Sequence, residues 1–141
     1  MRYSFIQDGD TYVVSIDNHQ EVFAALTAFC EEQNILAGEI TGIGAVNSAT
    51  LRFLDPATKK YVDKTFEEQM EISSLIGNIS EKDGKPYLHL HANFGRRDYT
   101  VIGGHLLCCT LNGACEVVVK RFHCKVGRRF EPTLGINLYE F

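Results

Sequence analysis

In the stretch Tyr87-Leu88-His89-Leu90-His91-Ala92, apolar residues alternate with histidines one position at a time. Successive side chains of a β-strand point to opposite faces, so His89 and His91 share one face while Leu88 and Leu90 take the other. Alternate Cα atoms in a strand stand roughly 6 to 7 Å apart, a spacing at which two imidazoles chelate one divalent ion. A turn at Gly95–Tyr99 then folds the chain back, and the next strand brings Gly103-Gly104-His105 alongside the first. A third imidazole completes the set.

Three neutral histidines with a fourth position open form the ligand pattern of a catalytic zinc. Imidazole also suits nickel, iron or cobalt, so the cofactor expected is a divalent metal with zinc first. Gly103 and Gly104 lack side chains, which permits a bulge or a close backbone approach that aims His105 inward. The same residues also read as hydrogen-bonded histidines at an interface. Catalysis at such a centre needs an acid or base, and Glu71 and Glu116 are the candidates because each interrupts an apolar strand. Either also reads as a structural carboxylate, or as an acceptor that holds a histidine ring. Whether the protein is an enzyme stays open.

The period-two pattern extends outward from this hairpin. From Ala37 to the end, β-branched and apolar segments alternate with Gly, Asn and Asp, which places strands near 37–44, 49–54, 70–79, 87–94, 101–109, 116–122 and 135–139. Turns are expected at Asp55-Pro56, Asp83-Gly84-Lys85-Pro86, Arg97-Asp98 and Asn112-Gly113. Upstream, 3–7 and 11–16 read as a hairpin about Asp8-Gly9-Asp10. One helix follows, with Asn18 and Glu21 at capping-box spacing and Val22, Phe23, Leu26, Phe29 and Cys30 on one face, until Asn34. Helices do not alternate with strands, so the expected class is α+β: a largely antiparallel sheet with one main helix packed on it.

The 141 residues suffice for one domain, 1–141, whose core buries about two-thirds of the unfolded surface. With 45% hydrophobic and 23% charged residues, the balance is that of an ordinary globular chain. The N-terminus lacks the apolar core of a signal peptide and no 18-residue apolar run occurs, so a cytoplasmic location with no membrane association is expected. Five cysteines without a Cys-x-x-Cys spacing suggest buried free thiols, Cys108 and Cys109 included.

A net charge of −4 disfavours non-specific nucleic-acid binding by the whole surface. Lys120, Arg121, Lys125, Arg128 and Arg129 nevertheless crowd one short stretch without an acidic residue. They form either a solvated face or a patch for an anion, DNA or a protein partner. Gly42-Ile43-Gly44 opens like a dinucleotide fingerprint, but Asn47 takes the third glycine's place and no helix follows. A phosphate-binding loop and a serine-hydrolase elbow are both lacking.

The order of five stretches resembles the PPC (plants and prokaryotes conserved) domain family, and the resemblance covers nearly the whole chain. They are Ile40-Thr41-Gly42-Ile43-Gly44-Ala45-Val46, Met70-Glu71-Ile72-Ser73-Ser74-Leu75-Ile76-Gly77-Asn78-Ile79, His89-Leu90-His91-Ala92, Gly103-Gly104-His105-Leu106 and Ala114-Cys115-Glu116-Val117-Val118. The resemblance implies an α+β fold and a homotrimer; bacterial members are described as "putative DNA-binding proteins" of unproven function. Plant members contact AT-rich minor grooves through an Arg-Gly-Arg-Pro core, which this sequence lacks. Where the plant domain has Gly-Arg before Phe-Glu-Ile, this chain has Glu68-Gln69 before Met70-Glu71-Ile72, so the plant partner contacts are not expected here.

Overall fold

The chain, described from residue 2 to residue 141 by a computed structural model, consists mostly of strands. In order these are β1 (Tyr3–Asp8), β2 (Thr11–Ile16), α1 (Val22–Glu32), β3 (Gly38–Asp55), β4 (Lys60–Phe66), β5 (Met70–Lys82), β6 (Lys85–Gly95), β7 (Val101–Arg121), β8 (Gly127–Glu131) and β9 (Ile136–Glu140). All nine strands belong to one sheet. The class is broadly α+β, but the expected balance needs correction. The sheet is mixed, since β5 and β8 pair in parallel at Glu81 and Gly127 while the other ladders run antiparallel. The helix is a single short element of 11 residues rather than a main layer.

Two strands are longer than their sequence suggests. β3 runs unbroken through Ala45-Val46-Asn47-Ser48, and β7 through Asn112-Gly113, where a turn was expected. The two pair with each other along most of their length, and register shifts at Gly44/Val46 and Val46/Ser48 absorb the irregular residues as bulges. Because β3 pairs with β5 and β7, and β6 pairs with the same two strands, β3, β5, β6 and β7 form a closed ring. Its inner side chains include Leu75, Leu90, Phe94, Leu106 and Leu111, all buried.

The helix covers one flank. Val22, Ala25, Leu26, Phe29 and Cys30 are buried, and the Phe29 ring meets Tyr3 and Tyr12 edge-on at 5.4 Å each. The cap differs from the expected box: Glu21 itself is the N-cap, accepting from the amides of Phe23 and Ala24. Asn18 instead accepts from the His19 and Gly113 amides, tying the helix approach to β7. Asn34, at φ 51°, stops the helix in the left-handed region that Asn tolerates.

Cys30, Cys109 and Cys115 are buried, but Cys108 and Cys124 are exposed, against the expectation of packed thiols. The register shift that leaves Leu107 unpaired between Leu106 and Cys108 inverts the alternation of β7, so Cys109 takes the inner face and Cys108 the outer one.

A candidate three-histidine metal centre

One row of cross-strand partners runs along the outer face of the sheet and positions the site. Ile6 on β1 stands opposite Val13, Val13 opposite Val118, Val118 opposite Thr41, and Thr41 opposite Ile76. The row then continues from Ile76 to His91, from His91 to His105, from His105 to Arg52 and from Arg52 to Asp63 on β4. Directly opposed residues of antiparallel strands share a face, so the row is continuous. It crosses β3 and β7 twice because both strands are long enough to lie on either side of the ring. Apart from Thr41 its first part is apolar; its last part is histidine, arginine and carboxylate.

His89 joins this second part from two positions along β6. Its ring centroid lies 5.2 Å from that of His91 and 5.1 Å from that of His105, and His91 lies 5.4 Å from His105. The three rings thus form a nearly equilateral triangle, and one nitrogen of each lies within 4.8 Å of the others. The chain's hydrogen-bonded histidines, among the described residues, are His19 and His123, so the three clustered rings are not held by protein partners. At Gly103 any Cβ would overlap the Asn93 side chain opposite it on β6, and the two strands pair there without a bulge.

The cluster lies in a cavity of about 380 Å³, walled by β3, β4, β6, β7 and the β8–β9 hairpin. Burial lowers the His89 pKa to about 4, aided by the neighbouring His105 and His91 and by the charge of Arg128. Burial also lowers His105, with His91 and Arg52 adding to the effect and Asp63 opposing it. Both rings are therefore neutral near pH 7, the form that binds a metal.

Glu71 and Glu116 do not line this cavity. Both are exposed and border a separate groove with Gly44, Ser73 and Ala114 at the other end of the sheet. The carboxylate that faces the histidines is Asp63, on a strand with no clear apolar alternation, Lys60-Tyr61-Val62-Asp63-Lys64-Thr65-Phe66. Asp63 holds Arg52 at 2.7 and 2.8 Å in a two-bond pair.

The basic stretch is dispersed by the fold. Arg121 donates to the Gln33 carbonyl and lies over Tyr12, Arg129 pairs with Glu131, and Arg128 enters the histidine cavity. Lys120 and Lys125 are exposed. The Arg128 guanidinium lies between the Tyr87 and Tyr139 rings, at 5.0 and 4.3 Å. It donates to Ser80 Oγ, Asn78 Oδ1 and the Asn137 carbonyl. No pattern in the sequence marks Arg128 apart from its basic neighbours.

A mostly stranded mixed sheet carrying a compact histidine triangle defines the class of protein. The chain belongs to the Plants and Prokaryotes Conserved (PCC) domain family, which it matches over residues 3–123. It is similar to a "putative DNA binding protein" from Bacteroides thetaiotaomicron, with 52% identity and a TM-score of 0.98 over 100% of this chain and 99% of that one. A metal-containing protein from Archaeoglobus fulgidus is 36% identical, with a TM-score of 0.88 over 99% and 98% of the two chains. A plant- and prokaryote-conserved protein from Pyrococcus horikoshii is 27% identical, with a TM-score of 0.85 over 99% and 94%. No curated protein matches the chain. Among the described residues no helix is long and apolar enough to cross a membrane.

Proposed function

We propose that residues 1–141 act as one domain that binds a divalent metal, zinc by preference, through His89, His91 and His105. The observation that carries this reading is the triangle of unpartnered imidazoles, with nitrogens within 4.8 Å of one another. Zinc at about 2.0–2.1 Å from each nitrogen brings tetrahedral ligands to roughly 3.4 Å apart, so modest ring rotations close the site. The all-imidazole donor set suits zinc, and the metal-containing relative from Archaeoglobus fulgidus supports a metal in this fold. When bound, zinc would supply a Lewis-acidic position facing the cavity.

Assembly as a homotrimer belongs to the same reading. Ile6, Val13, Ile43, Ile76 and Val118 are 71%, 48%, 55%, 55% and 41% exposed on adjoining strands, around a shallow groove of about 880 Å³. A contiguous apolar face of this kind is the surface a subunit contact buries. Because His91 follows Ile76 in the outer row, a neighbouring subunit on that face would border the metal cavity. It could also bring its own carboxylates, Glu71 or Glu116 among them, toward the cavity mouth.

The decisive measurement is elemental analysis of untagged protein beside the His89→Ala/His91→Ala double variant. Close to one zinc per chain in the wild type and none in the variant is expected; no metal above background in either ends this reading.

A second reading, DNA association, is favoured by the name of the Bacteroides thetaiotaomicron relative. In a trimer three copies of Lys120 and Lys125 would add by valency. A shift assay should then weaken steeply with salt, and absence of binding at low salt removes it.

A further inference from the structure

The β8–β9 hairpin carries the one charge in the histidine cavity that nothing balances. The other arginine there, Arg52, is held two-to-two by Asp63. Arg128 has no carboxylate partner among the described residues: its three hydrogen bonds go to a hydroxyl, a side-chain amide oxygen and a backbone carbonyl. A guanidinium has five N–H donors, so two remain without a protein partner. The two tyrosine rings that sandwich it, and the bond to buried Ser80, hold it in place rather than neutralise it.

Around this charge the cavity is largely apolar. Phe53 and Leu54 of β3, with Phe130 and Ile136 of the hairpin, line it together with the histidines. A volume of about 380 Å³ lies at the lower end of small-ligand sites, which run from roughly 300 to 1,000 Å³. A half-buried cation with no carboxylate partner leaves the cavity positive before any metal enters, and a bound divalent ion adds to that charge. Desolvated positive charge is stabilised by an anion with matching geometry, and the planar guanidinium matches a carboxylate.

We propose that this cavity binds a small organic carboxylate, with Arg128 holding the acid group, and that the β8–β9 hairpin therefore sets which ligand the histidine centre receives. The inference rests on the metal reading above only for the ligand's second contact. The hairpin lies beyond residues 3–123, the part that the family model matches.

The test uses glycolate, a small hydroxy acid, and glycolamide, its uncharged counterpart of nearly equal shape, titrated by calorimetry into zinc-loaded and metal-free wild-type protein. Glycolate should saturate at one per chain and bind at least about tenfold more tightly than glycolamide. Arg128→Gln should remove about that tenfold preference with zinc content unchanged, and Arg128→Lys should restore part of it. Equal affinities for the two probes, no saturable glycolate binding, or a full preference in Arg128→Gln would each overturn the proposal. If Arg128→Gln fails to fold, the comparison of the two probes on metal-free wild-type protein decides alone. If the chain takes up no zinc, the metal reading falls, while a glycolate preference in metal-free protein still decides the carboxylate site.

Discussion

The two halves of the outer row of the sheet share a backbone and differ in chemistry. From Ile6 to Ile76 the row is exposed and, but for Thr41, apolar; from His91 to Asp63 it is polar, and the β8–β9 hairpin packs beside its half-buried members His105 and Arg52. An apolar face left open implies contact with another protein surface, whereas titratable groups covered by their own chain imply a small ligand or ion. The lesson is that face alternation assigns a residue to the outside of the ring, but what covers that outside decides its role.

The sharpest way to break the contrast is to change the inner face of the same strand. Leu90 is fully buried between His89 and His91, so Leu90→Ala should cost about 2–5 kcal/mol in chemical denaturation. His91, exposed, has no such role, and His91→Ala should leave the metal-free fold within about 0.5 kcal/mol while lowering metal retention. Equal destabilisation by both would show that the rings are packing residues.

Next in size is the apolar half. Ile76→Asp places a charge on the exposed face and should weaken self-association by about a hundredfold in sedimentation equilibrium, with monomer stability little changed. An unchanged association state would remove this face as the proposed subunit contact.

A smaller effect is expected from acid. Unfolded histidine binds a proton near pH 6.5, while folded His89 does so only at about 4. Between these values the unfolded chain holds more protons, so the metal-free fold loses stability as pH falls from about 6.5 toward 4. Denaturation midpoints across that range, with His89→Gln as control, should show the slope reduced in the variant.

The smallest effect separates surfaces without altering the fold. Brief alkylation followed by mass spectrometry should label the exposed Cys108 and Cys124 and spare Cys30, Cys109 and Cys115. Burial pushes the Cys30 thiol up to about 12 and Cys115 to about 11, which suppresses the reactive thiolate.

Much of the histidine cluster was legible beforehand because it depends on two local facts, the alternation of Leu88-His89-Leu90-His91 and a hairpin of ordinary length. The apparent break at Asn112-Gly113 misled because turn residues and bulge residues share a composition, and only the partner strand distinguishes them. β4 was missed because its residues are mostly exposed, so no apolar period marks it. Glu71 and Glu116 seemed plausible beside the metal because each interrupts an apolar strand, a pattern silent on which end of the sheet a residue occupies.

By itself the sequence determined most of the strands (not β4 or β8), the helix face, the family resemblance and the convergence of three imidazoles, all set by side-chain period and chain reversal over short distances. Only the tertiary structure decided that β3 and β7 are continuous, that they close a ring with β5 and β6, and that Arg128 and Arg52, the latter paired with Asp63, are the charged groups beside the site. The reason is physical: those outcomes depend on register between strands far apart in sequence, and on a terminal hairpin whose place is fixed by hydrogen bonds to β5 rather than by any pattern of its own.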